Sequence, residues 1–286
     1  MQNILDPVPG EASSAASQPH SATGTQARRG RSLADLLAPL DQIAADSPNL
    51  VANRGARFEV GGESYEIPRY MFVGPRGGGV PIRVGFFAAI HGDEPEGAHA
   101  IVQFVKLLEA RPELALGYCL SIYPVCNPTG FEDDTTRSRG GHDLNAEFWK
   151  KSPAPEVRIL QAELVSHSFD GIVSLRTHGL GSGLYGAVRS RTLASQLLRP
   201  ALKAGGIFLP LDDRPFIDGL PAQDGIVREA AKGALSVPPG VHPRPFEITL
   251  ETPKAPPAYL KEFALAMALR TILVEYRKFI AYAPNL

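Results

Sequence analysis

Residues 82–97 read Ile82-Arg83-Val84-Gly85-Phe86-Phe87-Ala88-Ala89-Ile90-His91-Gly92-Asp93-Glu94-Pro95-Glu96-Gly97. The almost unbroken apolar run from Ile82 to Ile90 is the pattern of a strand covered on both faces. From Pro95 to Ala110 the period changes, and Ala98, Ile101, Val102, Val105 and Leu108 fall on one side of a helix. Pro95 sits near the first helical position, where its missing N–H costs little. A buried strand running through a short turn into a helix is the building unit of an α/β sheet, in which sites gather where strands end.

The same alternation extends in both directions. Downstream, Tyr118 to Tyr123 and Gly171 to Thr177 read as buried strands, Phe246 to Leu250 as a late one, and 155–167, 192–204 and 259–279 as helices. Upstream, Arg57 to Val60 and Glu63 to Ile67 flank Gly61-Gly62, which predicts a hairpin at a sheet edge. Ser32 caps a helix carrying Leu33, Leu36, Leu37, Leu40 and Ile43 on one face. The expected architecture is a three-layer α/β sandwich with helices on both faces of a largely parallel or mixed sheet. Residues 1–31, poor in large apolar side chains, read as a flexible tail, and 32–286 as one domain. Residues 205–245, rich in Gly, Pro and Asp, are too long for a plain connection and predict functional loops or a lid.

Composition narrows the function. The 29 Lys and Arg balance 30 Asp and Glu to a net charge of -1, so no basic field points to nucleic acid or a membrane surface. No apolar run is long enough to span a bilayer, and the N-terminus lacks the basic and apolar regions of a signal peptide, so a soluble, cytoplasmic protein is expected. Cys119 and Cys126 lack Cys-x-x-Cys spacing and read as small buried residues.

The chemistry-bearing residues cluster in four places. His91 closes the first strand and Glu94 opens the helix, so an imidazole and a carboxylate can converge on one ion such as Zn²⁺. Their bland alternative is to cap and solvate the turn. Next come Asn127-Pro128-Thr129-Gly130 and then Arg137-Ser138-Arg139-Gly140-Gly141-His142-Asp143-Leu144-Asn145. Taken in this order, the chain from about residue 80 to 255 resembles the zinc carboxypeptidase family and its succinylglutamate desuccinylase and aspartoacylase relatives.

That resemblance implies a zinc metallohydrolase acting as a metallopeptidase (carboxypeptidase-like) or N-acyl amino acid deacylase, with one Zn²⁺ per chain and a small peptide or N-acyl amino acid as substrate. His91 and Glu94 would be metal ligands. Arg137 would polarise the scissile carbonyl, with Arg139 as a neighbour able to take that role, and Asn145 would hold a polar or carboxylate group. The family pattern continues Asp-Leu-Asn with Arg, whereas this chain has Ala146, which weakens a C-terminal exopeptidase assignment. The third ligand is expected at a strand end, in Ser174-Leu175-Arg176-Thr177-His178. The simplest alignment puts Arg176 there, yet arginine does not ligate zinc. His178 lies on the same strand face and is the expected ligand. If Arg176 holds the position instead, the protein is a metal-free, degenerate relative acting as a binding module. In Phe246-Glu247-Ile248-Thr249-Leu250-Glu251-Thr252-Pro253, Glu251 is the expected general base, with Glu247 on the same face as alternative. Tyr185 is a candidate substrate contact.

Overall fold

The strand-turn-helix unit of residues 82–97 occupies the middle of a ten-stranded mixed sheet in the computed structural model, which describes residues 30–179, 183–228 and 234–282. Most of the expected tail, residues 1–29, lies outside the described residues. Four parallel strands form the centre: β3 (Ile82–Phe87), β4 (Tyr118–Tyr123), β5 (Gly171–His178) and β10 (Phe246–Pro253). On one side β2 (Glu63–Val73) pairs antiparallel with β4, and β1 (Leu50–Val60) forms the edge. On the other side β6 (Tyr185–Ala187) pairs antiparallel with β10 and leads to β9 (Ile226–Val227), β8 (Leu220–Gln223) and β7 (Phe216–Ile217). The sheet order is β1-β2-β4-β3-β5-β10-β6-β9-β8-β7.

Side-chain alternation sorts the two faces. Val84, Phe86, Leu120, Ile122, Val173, Leu175, Ile248 and Leu250 face a large apolar core shared with α1 (Leu33–Asp46), α2 (Glu96–Ala110) and α7 (Ala258–Tyr282). Phe87, Tyr123 and Ile172 point the other way, into a second core with α4 (Pro155–Ser166). The α/β sandwich is therefore the observed arrangement. Among the described residues no helix is long and apolar enough to cross a membrane.

The predicted elements recur with instructive adjustments. Gly61 and Gly62 both have positive φ, 60° and 81°, so they supply the hairpin turn between β1 and β2. β3 stops at Phe87, because Ala88 to Ile90 leave the ladder to form the turn that carries His91. The helix expected over 192–204 is broken into α5 (Arg191–Leu193), a wide π turn (Ala194–Leu198) and α6 (Arg199–Gly205). Pro200 has no N–H to offer the carbonyl of Gln196, which accounts for the irregular turn ahead of it. Within 205–245, the short strands β7 to β9 extend the sheet instead of forming a plain loop, and residues 229–233 lie outside the described set. A short helix, α3 (Pro128–Asp133), follows β4.

Candidate functional site

Two turns meet where β3 and β4 end. Asn127, fully buried, caps α3 by accepting from the Gly130 N–H at 2.9 Å, and the Asn127 and Cys126 N–H groups donate to Ala89 and Ala88 carbonyls. Gly92 packs so closely on this turn that a Cβ there would stand 1.9 Å from the Gly130 carbonyl carbon. The Asn-Pro-x-Gly stretch is thus a mould that sets the His-x-x-Glu turn, and only glycine at position 92 permits the fit.

His91 and Glu94 do converge, with His91 Nδ1 2.8 Å from Glu94 Oε1. Arg176 joins them from the end of β5. Its Nε donates to Glu94 Oε2 at 2.9 Å, and its Nη2 lies 3.0 Å from His91 Nδ1. The Thr177 N–H donates to Glu94 Oε2 at 2.9 Å. His91 Nε2 is engaged by Asp143 Oδ1 at 3.1 Å. The pair is well sheltered, the Arg176 and Glu94 side chains being 14% and 5% exposed, so the ions meet with little solvent screening. Burial opposes ionisation of Glu94, but hydrogen bonds from His91 and the charge and hydrogen bonds of Arg176 overcome it and hold its carboxyl down at about 2. Behind it, Thr177 Oγ1 donates to Glu96 Oε2 at 3.0 Å, and Glu96 is paired with buried Lys261 at 2.5 Å.

The expected third ligand stands elsewhere. His178 shares the Arg176 face of β5 two residues further along, and it is not in the group whose ligand atoms lie within 4.8 Å of one another around His91 and Glu94. It packs edge-on against Tyr185 with ring centroids 4.9 Å apart, and among the described residues its ring nitrogens have no hydrogen-bond partner. Burial lowers its pKa. The acidic group that does cluster with His91 and Glu94 is Asp93, the three offering ligand atoms within 4.8 Å of one another. Asp93 Oδ2 pairs with Lys254 at 3.1 Å, while its buried Oδ1 has no partner among the described residues.

These contacts test the fit of the implied zinc. A metal on His91 and Glu94 needs lone pairs free to point at it. Here a guanidinium, charged at any relevant pH, donates to Glu94 and lies 3.0 Å from His91 Nδ1, and each ring nitrogen of His91 has a protein partner. The His91, Glu94 and His178 set therefore does not fit zinc in this arrangement, and Arg176 fills the place of the cation.

Next to Arg176 lies a cavity of about 80 Å³ on the α4 face of the sheet. Its origin follows from strand register. Arg176, Glu251 and Tyr185 lie in one row across β5, β10 and β6, and Ser174, Thr249 and Ala187 form the next. The small side chains of this second row leave the floor hollow. Glu247 and Arg189 stand beyond it, and Asn145 and residues 234–236 contribute further lining.

Of the expected site residues, Asn145 and Glu251 thus line the cavity together with the alternative base Glu247. Glu247 is committed to Arg244 at 3.0 Å and the Val237 N–H at 2.9 Å. Burial raises the pKa of Glu251 despite the opposing charge of Arg176 and the Tyr185 hydroxyl. Tyr185 is buried, raised in pKa mainly by that burial, and donates to Asp218 at 2.9 Å. It is not among the cavity-lining residues. Neither are the two candidate carbonyl-polarising arginines. Arg137 is exposed and donates to the Gly141 carbonyl at 2.9 Å. Arg139 is held by Asp133 and Glu63 and lies over the Tyr65 ring at 5.3 Å. Sequence reading missed Asp93, Ser174 and Arg189. Arg189 was recoverable, because it continues the period of two from Tyr185 and Ala187.

Comparison with known proteins places this geometry in a recognised fold. A candidate metallopeptidase of Shewanella baltica superposes with a TM-score of 0.70 at 21% identity, covering 84% of this chain and 91% of its own. A metallo-carboxypeptidase from Burkholderia cenocepacia gives 0.64 at 18% identity over 86% of this chain and 68% of the other. One from Pseudomonas aeruginosa, solved with (2-guanidinoethylmercapto)succinic acid, gives 0.63 at 17% identity over 84% and 68%. No family model matches the sequence, and no curated protein matches it. The chain has the α/β fold of metallo-carboxypeptidases.

Proposed function

We propose that this chain is a metal-free relative of the metallo-carboxypeptidase fold whose cleft binds a small peptide or N-acyl amino acid without hydrolysing it. The observation that carries the reading is the Arg176 guanidinium seated on Glu94 and His91. A permanent cation that donates to Glu94 and stands 3.0 Å from His91 Nδ1 does the charge balancing that a metal would otherwise do, and supplies no water to activate. Ala146, where the resembling family carries an arginine, removes a carboxylate clamp and so weakens a C-terminal exopeptidase role in particular. Metal content by mass spectrometry, on protein purified without chelator and again after adding zinc and desalting, tests it. The expected result is no stoichiometric zinc and no cleavage of dipeptides or N-acyl amino acids. About one zinc per chain, together with turnover, would sink the reading.

A second reading is favoured by the partnerless Oδ1 of Asp93 beside His91 and Glu94. In it the chain is a zinc-dependent amidohydrolase, with His91, Glu94 and Asp93 holding the metal after Arg176 swings away. Zinc would then supply an activated water, and Glu251, whose pKa burial raises, suits a general base. Under this reading Glu251→Gln keeps zinc and loses turnover, whereas His91→Ala loses both.

A further inference from the structure

The charges lining the cavity are not equally available. Arg176 is spent on Glu94 and His91, Glu247 on Arg244 and the Val237 N–H, and half-buried Glu251 stands beside Arg176 on the neighbouring strand. Arg189 differs. It follows β6, is exposed, and among the described residues has no hydrogen-bond or ion-pair partner, yet it lines the same cavity. Asn145 lines it too, with Oδ1 accepting from the Leu235 N–H at 3.4 Å and its amide NH₂ left to donate. Guanidinium donors and an amide donor on two residues that line one small space suit a planar anion.

We propose that Arg189, assisted by Asn145, anchors the carboxylate of the ligand in this cavity. The proposal names the recognised group for the binding role above and rests on that reading for the absence of cleavage. Three features limit the anion. A cavity of about 80 Å³ is small, which favours a carboxylate on a short stem with the rest of the ligand toward the opening. Glu247 and Glu251 line the same space, so a dianion such as phosphate meets about twice the repulsion that a monoanion does. An amide N–H two or three bonds from the carboxylate, as in a peptide or N-acyl amino acid, supplies a donor for those glutamate oxygens. Ala146 is exposed and has no polar side-chain atom, so the neighbouring position provides no competing anchor.

Isothermal titration calorimetry of the full chain tests this with N-acetylglycine, its neutral amide N-acetylglycinamide, and inorganic phosphate. The expected order is N-acetylglycine binding measurably below about 10 mM, with both other probes at least about tenfold weaker. Arg189→Ala should weaken N-acetylglycine by roughly tenfold or more, and Arg189→Lys by less, because the charge stays while the fork is lost. Arg158→Ala, an exposed cation on α4, should change nothing and controls for net charge. Absence of saturable N-acetylglycine binding overturns the proposal. So does equal affinity for acid and amide, tighter phosphate binding, or an unchanged Arg189→Ala. Zinc content of the same stock is read separately. A zinc-loaded, hydrolytic protein would defeat the metal-free reading and leave the Arg189 comparison intact.

Discussion

At the scale of single residues, Arg176 carries the most weight. Its guanidinium balances a carboxylate that is only 5% exposed, so removing it strands a charge in a sheltered place. Arg176→Ala should therefore cost about 3–5 kcal/mol, read as a lower urea midpoint with unchanged slope. Arg176→His is the more informative change. An imidazole there removes the competing cation and places a third ligand type on the face that already offers His91 and Glu94. Zinc should rise from none to about one per chain, measured by mass spectrometry after desalting; a variant that stays metal-free would mean that the turn itself, not Arg176, excludes the ion. The sequence made both Arg176 and His178 candidates, because a period of two puts them on one strand face. It could not decide between them. That choice depends on how far along β5 the His91 turn reaches, which is set by the packing of Gly92 on Gly130.

At the scale of elements, the site depends on two turns that are distant in sequence and pressed together in space. The central strands were legible, because both-face burial leaves unbroken apolar runs such as Ile82 to Phe87. The short strands β7 to β9 were not, since each is two to four residues long and carries no usable period. Asn127 was legible as part of a motif, but its function as the cap of α3 and as part of the mould for the His91 turn appears only in the hydrogen bonds. Gly92→Ala tests the mould directly. The added methyl would meet the Gly130 carbonyl carbon at 1.9 Å, so the two backbones must part. A loss of at least about 1–3 kcal/mol is expected, measured by denaturant unfolding. Gly62→Ala, which meets nothing within 4 Å but keeps φ at +81°, should cost only about 1 kcal/mol from backbone strain. Equal losses in the two variants would show that the turns are not in close contact.

At the scale of the whole molecule, one carboxylate ties three separate segments of the second core. Glu163 Oε2 on α4 receives Arg69 Nη1 from β2 at 2.5 Å and the Tyr123 hydroxyl from β4 at 2.7 Å, and contacts His167 Nε2 at 2.8 Å. No local pattern in the sequence predicts this, because Arg69 and Glu163 are 94 residues apart. Burial works against the charge, yet the hydrogen bonds from His167, Tyr123 and Arg69 prevail and hold the Glu163 carboxyl at about 2, below its ordinary 4.5. A carboxyl whose folded pKa is depressed binds fewer protons folded than unfolded. Its contribution is therefore complete above 4.5, declines as pH falls, and is gone below about 2. The span between those values corresponds to a contribution on the order of 3 kcal/mol, with the side chain 17% exposed. Glu163→Gln should be less stable than the parent at neutral pH, and the difference should shrink steadily from 4.5 toward 2, followed by urea midpoints across that range. A difference independent of pH would assign the loss to packing and geometry, and the acid sensitivity of the fold to other carboxylates.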